Sequence, residues 1–317
     1  MEDKSKGRLA AFTSGSLMGL VSIFVNRLSF LPTQTIVSLR GIFGFFVLLI
    51  LILSMKKGYY LSAMLKKFAL FIFLIGLSAS FTIFFYFKSI QMTNPGTAAF
   101  LLYTGPVWAV IFMWLFLKRV PKREDILSFI IAVIGIAFLT EPWTIDINDY
   151  ARSNLYFGLF YGILSGLCLG IYNTLKIQFF SQWENSKNST KLGNMNVVMI
   201  SMAALVCLVN FFTFAYPGVK YYDDLGSNDW VAALLMGIIP TALAFSLINY
   251  GLQKDYAGDV IIFSYSEPVV GSIITAFQND IMPWNLLLGG ILIIFANLLI
   301  VMKKRIRKRI KQCNVAQ

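Results

Sequence analysis

The 317-residue chain is too apolar for a soluble globular protein. Hydrophobic residues make up 57% of it and charged residues only 13%, whereas soluble proteins are about half apolar and a quarter charged. The net charge of +12 does not indicate a nucleic-acid-binding surface, because the basic residues lie between apolar segments and not on one soluble face. We therefore expect a multi-pass membrane protein that binds no nucleic acid.

The residue inventory also argues against catalysis and metal binding. The chain has no histidine, which removes the commonest general base and metal ligand. Its cysteines, Cys168, Cys207 and Cys313, show no metal-ligand spacing. No pair of acids lies near the middle of a predicted span. We expect no enzymatic activity, no metal and no cofactor.

Apolar segments long enough to cross a membrane occur about ten times, since a span needs about 20 residues at 1.5 Å each. This predicts an all-α membrane protein of about ten transmembrane helices. The predicted spans are Leu9–Leu28, Thr33–Met55, Phe68–Lys88, Gly96–Leu117, Glu124–Leu139, Leu155–Phe180, Met195–Tyr216, Trp230–Gln253, Ala257–Phe277 and Asn285–Met302.

A stretch of the first half, Gln91–Pro121, recurs in the second half. Six identities keep a constant separation of 162 residues: Gln91, Gly96, Tyr103, Pro106, Val107 and Pro121 recur as Gln253, Gly258, Tyr265, Pro268, Val269 and Pro283. The first spans match at a separation of 147 residues, with Gly15, Gly19 and Asn26 corresponding to Gly162, Gly166 and Asn173.

The duplication predicts two five-helix repeats, residues 1–140 and 153–303, followed by a basic tail at 304–317. Because five is odd, the second repeat must enter the membrane inverted relative to the first. Inverted repeats are the usual build of secondary transporters, with the substrate near the midplane where the repeats meet.

Lysine and arginine predict the orientation of the chain. If the N-terminus is cytoplasmic, 22 of the 27 basic residues lie in cytoplasmic connections or the tail, and acids dominate the outer connections. The positive-inside rule then places both termini in the cytoplasm. We expect a plasma (inner) membrane protein whose basic tail contacts anionic lipid.

Both halves resemble the EamA-type repeat of the drug/metabolite transporter superfamily. The resemblance extends from about Leu9 to Met302 and is carried by Phe85–Ile90, Gly96–Ala99, Tyr103–Val107 and Tyr265–Val269. The chain departs from the usual glutamate after the fourth span of a repeat, where it has Lys118 and Asp280. The resemblance implies a transporter of small metabolites by alternating access, without naming the substrate.

Glu267 is the most anomalous residue, because it lies about ten residues, or roughly 15 Å, into the predicted ninth span. A carboxylate at that depth costs about 2.5 kcal/mol or more unless it is paired or hydrated. It is either a protonatable or amine-binding group in a central cavity, or a structural partner of a basic residue such as Arg40.

Two basic residues are further candidates for substrate binding. Arg40 lies about 10 Å into the second span, where its planar fork suits a carboxylate or phosphate; snorkelling to the headgroups is the alternative. Lys88 ends the third span, where interface anchoring is the alternative.

The repeated tyrosines and prolines complete the predicted site. Tyr103 and Tyr265 lie near mid-membrane, three residues before Pro106 and Pro268, and either face the cavity or bond a neighbouring helix. Each proline removes a helix hydrogen bond, so we expect kinks that can serve as hinges, with a third at Pro240. Asn249 is a further candidate ligand, with a helix–helix hydrogen bond as the alternative.

We expect a secondary transporter that moves a small polar metabolite, with amino acids or related zwitterions first and export favoured. Protons are a candidate coupling ion through Glu267. Within transport, the alternative is an exchanger of phosphorylated or nucleotide-linked sugars. An alternative of another class is a non-transporting structural membrane protein.

Overall fold

The computed structural model describes residues 2–118, 120, 123–140, 153–184, 194–254, 263–279 and 284–315, and every regular element among them is helical. The first half contains α1 Glu2–Gly19, α2 Val21–Arg27, α3 Thr33–Ser54, α4 Tyr59–Met92, α5 Pro95–Leu102, α6 Gly105–Leu117 and α7 Arg123–Thr140. The second half contains α8 Ser153–Glu184, α9 Met195–Val219, α10 Ser227–Gly237, α11 Ala244–Lys254, α12 Ser266–Asn279 and α13 Trp284–Val315.

The helices are long and apolar enough to cross a bilayer, which confirms the predicted fold class. Seven segments within the described residues pass by length and composition alone, and several join consecutive helices, such as α1 with α2 and α5 with α6. Two shorter apolar helices, Ile126–Leu139 and Trp284–Leu299, lie where the fifth and tenth spans were predicted. Helix α12 covers the second half of the predicted ninth span and ends two residues beyond it, at Asn279. The first residues of that span, 257–262, fall outside the described ranges.

Helices α4 and α13 extend furthest beyond the predicted spans. Helix α4 begins at Tyr59, well before Phe68, and Phe68 itself has non-helical torsion angles (φ −127°, ψ 21°). The predicted span therefore begins at a kink inside a continuous helix. Helix α13 continues to Val315, so most of the predicted tail is an extension of the last helix.

The helix contacts have the symmetry expected of an inverted repeat. Helices α3 and α7 pack against their own repeat mates, α9 and α13, and α5 of the fourth span packs on α12 of the ninth span, which is the mate of the fourth. The remaining major contacts occur in matched pairs, because α1 packs on α11 and α12 while α8 packs on α4 and α6. The two repeats therefore interlock, and the paired helices α3, α9, α5 and α12 occupy the middle of the bundle.

Glycine contacts correct the register of the first spans. Gly15 lies against Ser264 and Ser266, and Gly166 lies against the mates of those two residues, Leu102 and Thr104. Further along, Gly19 lies against the Glu267 carbonyl and Val270, and Gly170 lies against the corresponding Gly105 carbonyl and Trp108. The differences 166 − 15 and 170 − 19 both give 151, so the match at 147, including that of Asn26 with Asn173, is one helical turn out of register.

Matched aromatic residues follow the second and seventh spans. Tyr60 and Phe68 have Tyr222 and Trp230 as mates at the 162-residue separation. The first pair lies in a buried apolar cluster with residues of α8 and α9. In the second pair, the rings of Tyr222 and Trp230 lie 5.9 Å apart, and the Tyr222 hydroxyl is 2.9 Å from Ser38 Oγ. Tyr60 and Phe68 thus close one end of the bundle by apolar packing. Tyr222 and Trp230 close the opposite end with a hydrogen bond as well.

The close helix contacts predict which glycines are sensitive to an added methyl group. A Cβ at Gly170 would lie 2.6 Å from Trp108 Cβ, and one at Gly19 would lie 2.8 Å from the Glu267 carbonyl. We expect Gly170→Ala and Gly19→Ala each to destabilise the protein by about 1–3 kcal/mol through overpacking. Thermal unfolding in detergent measures the effect. Gly58→Ala is the control, since its Cβ would meet only the end of the Leu53 side chain at 3.1 Å; equal melting temperatures for all three variants would contradict the packing.

Candidate functional site

The candidate site forms where three helices are interrupted at or near a proline. The fourth span breaks at Tyr103 and Thr104, between α5 and α6, and Pro106 lies in the first turn of α6. The ninth span breaks at Tyr265, just before α12, and Pro268 lies in the first turn of that helix. Pro240 lies in a wide, π-helical turn, Ile238–Leu243, between α10 and α11.

Pro240 frees a backbone carbonyl that is connected to Arg40 through one threonine hydroxyl. A proline cannot donate to the residue four positions earlier, which here is Met236. The Thr241 hydroxyl donates to the Met236 carbonyl at 3.0 Å, and the same hydroxyl oxygen accepts a hydrogen bond from Arg40 Nε at 2.9 Å. The interruption of one helix thus creates the polar partner that holds a guanidinium from another.

Arg40 is buried inside the helix bundle, whereas a snorkelling side chain would reach the surface. Only 7% of the residue is exposed. Its guanidinium lies over the Phe87 ring, 5.4 Å from the ring centroid, and Nη2 reaches the Pro240 carbonyl at 3.5 Å. Arg40 therefore has one good hydrogen bond, one contact at the distance limit and an aromatic face, which leaves donors for a further partner.

Pro268 creates a second polar arrangement around Glu267. The carbonyl four residues before this proline belongs to Ser264, and the Tyr103 hydroxyl lies 3.0 Å from it. The same hydroxyl lies 2.9 Å from Glu267 Oε2. A phenol has one proton to donate, so it can donate to only one of these two acceptors at a time.

Tyr86 and Arg40 complete the surroundings of the carboxylate. Glu267 is 6% exposed, and the Tyr86 side chain lies near its carboxylate. Arg40 lies within range of its charge, although the two side chains do not form a direct ion pair. A buried carboxylate and a buried guanidinium thus face one region from α12 and α3, with tyrosine hydroxyls on the carboxylate side.

The repeated tyrosines meet each other at the centre of the bundle. Their rings lie 5.2 Å apart in an edge-to-face arrangement. Asn297 Nδ2 donates to the Tyr103 carbonyl at 2.7 Å, which covers backbone exposed at the end of α5. The Tyr265 hydroxyl is different, because it is buried and has no hydrogen-bond partner among the described residues.

Two of the predicted residues lie apart from this cluster. Lys88 is half-buried on α4, and none of its described contacts joins it to Arg40 or Glu267. Asn249 is buried in α11, likewise without a described contact to either charged residue. Among the described residues, no group of histidine, cysteine or acidic side chains could hold a metal ion.

Three residues that build the site are not among those predicted from the sequence: Tyr86, Thr241 and Asn297. Thr241 follows Pro240 directly, so a hydroxyl beside an intramembrane proline was an available signal. Asn297 is a lone amide within the apolar last span. Tyr86 was recognised only as part of a family pattern, and its contact with α12 depends on folding.

Comparison with known proteins supports the two-repeat architecture. A sequence model of the EamA-like transporter family matches residues 5–141 and again residues 156–302. The two matches together cover most of the chain.

Individual relatives and a solved structure agree with this match. An uncharacterized transporter of Archaeoglobus fulgidus is 27% identical over 292 residues, which cover 91% of this chain and 93% of that protein. Solute carrier family 35 member G1 of Mus musculus is 25% identical over 129 residues, covering 41% of this chain and 34% of its own. A crystal structure of another protein superposes with a TM-score of 0.62 at 17% identity, over 95% of this chain and 98% of that one, which shows a shared fold.

The hydrogen bonds that connect Arg40, Thr241 and the Met236 carbonyl predict that Thr241 contributes far more to stability than other threonines in the spans. We expect Thr241→Val to destabilise the protein by about 1–3 kcal/mol, because it leaves the Met236 carbonyl buried without its partner. Thr213→Val is the matched control, since Thr213 bonds the Val209 carbonyl within an uninterrupted helix. Thermal unfolding of both variants checks the difference, and equal shifts would show that the freed carbonyl is unimportant.

Proposed function

Because the chain belongs to the EamA-like transporter family, we propose that it moves amino acids or related zwitterions across the plasma membrane by alternating access. Export is the direction that the resemblance favours. One observation carries the substrate class: Glu267 and Arg40 are both buried in the same region and do not neutralise each other by direct pairing.

A zwitterion fits these two groups because it carries both opposite charges. Its ammonium group would approach Glu267, where the carboxylate and the neighbouring tyrosine oxygens accept hydrogen bonds. Its carboxylate would approach Arg40, whose planar donors suit a carboxylate. Each buried charge of the protein would then form an ion pair with the opposite charge of the substrate. These two pairs would offset the free energy of burying the charges.

The shared proton of Tyr103 offers a route for proton coupling. When Glu267 is ionised, Tyr103 can donate to its carboxylate. When Glu267 is protonated, its carboxyl group can donate to the phenol oxygen, and Tyr103 can then donate to the Ser264 carbonyl. Protonation would therefore redirect one hydrogen bond across the break before α12, and would also remove the negative charge that attracts an ammonium group.

The helix breaks provide hinges for the transport cycle. The Tyr103–Thr104 break and the Tyr265 break face each other across the centre, because α5 packs on α12 and the tyrosine rings touch. Both charged side chains are nearly inaccessible in this conformation. Rotation at the two breaks would open the site to one membrane face at a time.

An exchanger of phosphorylated or nucleotide-linked sugars fits the site less well. A phosphate group calls for several cationic donors, whereas the central cluster combines one guanidinium with a carboxylate that would repel the phosphate. Counterflow into proteoliposomes separates these functions. Preloaded unlabelled amino acids should accelerate uptake of a labelled amino acid, and preloaded sugar phosphates should not; the reverse result would overturn the zwitterion proposal.

Glu267→Gln tests the role of the carboxylate. We expect the variant to fold, because glutamine keeps the shape and can accept the Tyr103 hydrogen bond, and to lose amino acid counterflow because the counter-charge for an ammonium group is gone. Size-exclusion chromatography and thermal unfolding check the fold. Asp224→Asn, an exposed acid on the turn after α9, is the control and should transport normally. Full transport by Glu267→Gln with an unchanged pH profile would show that the carboxylate is structural.

A further inference from the structure

We propose that Tyr265 selects the substrate: its hydroxyl forms a hydrogen bond with an uncharged polar group on the side chain of the transported zwitterion. The inference rests on the proposed function, and it narrows the substrate class to zwitterions with a hydroxyl or amide side chain. It begins from the one tyrosine hydroxyl of the central cluster that has no hydrogen-bond partner among the described residues.

The repeat explains why this hydroxyl is unpaired. Tyr103 bonds Glu267 in the second repeat, so symmetry would have Tyr265 bond the mate of Glu267 in the first repeat. That mate, at the 162-residue separation, is Gly105, which has no side chain. A longer residue would not fit there, since even a Cβ at Gly105 would lie 2.7 Å from the Leu169 side chain.

The other charged residue also lacks a charged mate. Arg40 and Thr241 correspond to Met202 and Ala79, and those two lie together in one buried apolar cluster. Helices α3 and α9 begin 162 residues apart, which supports this pairing. The positions that correspond to Arg40, Thr241 and Glu267 are therefore all uncharged, and the Tyr265 hydroxyl has no hydrogen-bond partner among the described residues.

This asymmetry determines which substrate side chains the centre accepts. A charged side chain beside these uncharged positions would have no counter-ion there, and an unpaired charge within a membrane is strongly disfavoured. A neutral polar side chain would instead satisfy the Tyr265 hydroxyl, since a buried hydroxyl without a partner is unfavourable. Asn297 supports the same chemistry, because its Oδ1 is also buried without a partner while its Nδ2 holds the neighbouring Tyr103.

Tyr265 lies close enough to Glu267 for one small molecule to touch both. It is 5% exposed, and its ring is 5.2 Å from that of Tyr103, whose hydroxyl contacts Glu267. An amino acid with its ammonium group on Glu267 would therefore have its side chain beside the central tyrosine pair.

Counterflow competition with amino acids of matched shape tests the inference. Threonine and valine differ by a hydroxyl in place of a methyl group, and asparagine and leucine differ by an amide in place of an isobutyl end. We expect wild-type protein to prefer threonine and asparagine by about 3- to 10-fold over their apolar counterparts, the range of one neutral hydrogen bond. Aspartate and lysine should compete poorly. Tyr265→Phe should reduce both preferences to about 1-fold.

Thermal unfolding without substrate gives a second measurement. Tyr265→Phe should not lower the melting temperature, because it removes a polar group that has no partner. The matched variant Tyr103→Phe should lower it, because it removes a hydroxyl that contacts Glu267 and Ser264. A lower melting temperature for Tyr265→Phe, with equal loss of transport for every amino acid, would make the hydroxyl structural and overturn the inference.

The failure of this inference differs from the failure of the proposed function. Amino acid counterflow without any preference within the matched pairs would overturn the role of Tyr265 and leave zwitterion transport standing. Absence of counterflow with every amino acid would overturn the proposed function, and the inference with it.

Discussion

A carbonyl freed inside a bilayer needs a partner, because no bulk water is present to supply one. In this protein Pro240 and Pro268 free carbonyls near the middle of the bundle, and side-chain hydroxyls bond them, one from the same helical turn and one from another span. Thr241 covers the carbonyl freed by Pro240 and holds Arg40. Tyr103 reaches the carbonyl freed by Pro268 and holds Glu267. The same backbone interruptions that permit motion therefore also bring the charged groups into place.

The duplicated architecture makes the centre of the bundle nearly symmetric. Sequence differences between the two copies make its charge distribution asymmetric. The two tyrosines retain their mutual contact across the repeat axis. Glu267 and Arg40, however, stand opposite Gly105 and Met202 at equivalent positions. A symmetric scaffold with an asymmetric charge distribution can bind a small polar molecule in one orientation.

Much of the fold could be predicted from the sequence, because the spans are strongly apolar and the central repeat contains prolines at fixed separation. The register of the first spans could not. Glycines occur at every fourth position at 162, 166 and 170, so a shift of one helical turn preserves the apparent match, and only packing against the fourth and ninth spans selects among the alternatives. The positions of Lys88 and Asn249 away from the central cluster could not be predicted either. Most spans are apolar on both faces, so the sequence does not reveal which face lines the centre.

The two ends of the bundle are closed by different interactions. One end has apolar packing, and the other also has a hydrogen bond. Separating Tyr60 and Phe68 from their cluster exposes a large apolar surface. Contact of that surface with lipid is favourable, whereas its contact with water is not. Separating Tyr222 from Ser38 breaks a hydrogen bond that water can replace. Because Ser38 lies two residues before Arg40 on α3, the end with the hydrogen bond is also the end nearer the guanidinium. The hydrogen-bonded closure and the Arg40 guanidinium therefore lie toward the same end of the bundle, and the apolar cluster lies toward the other end.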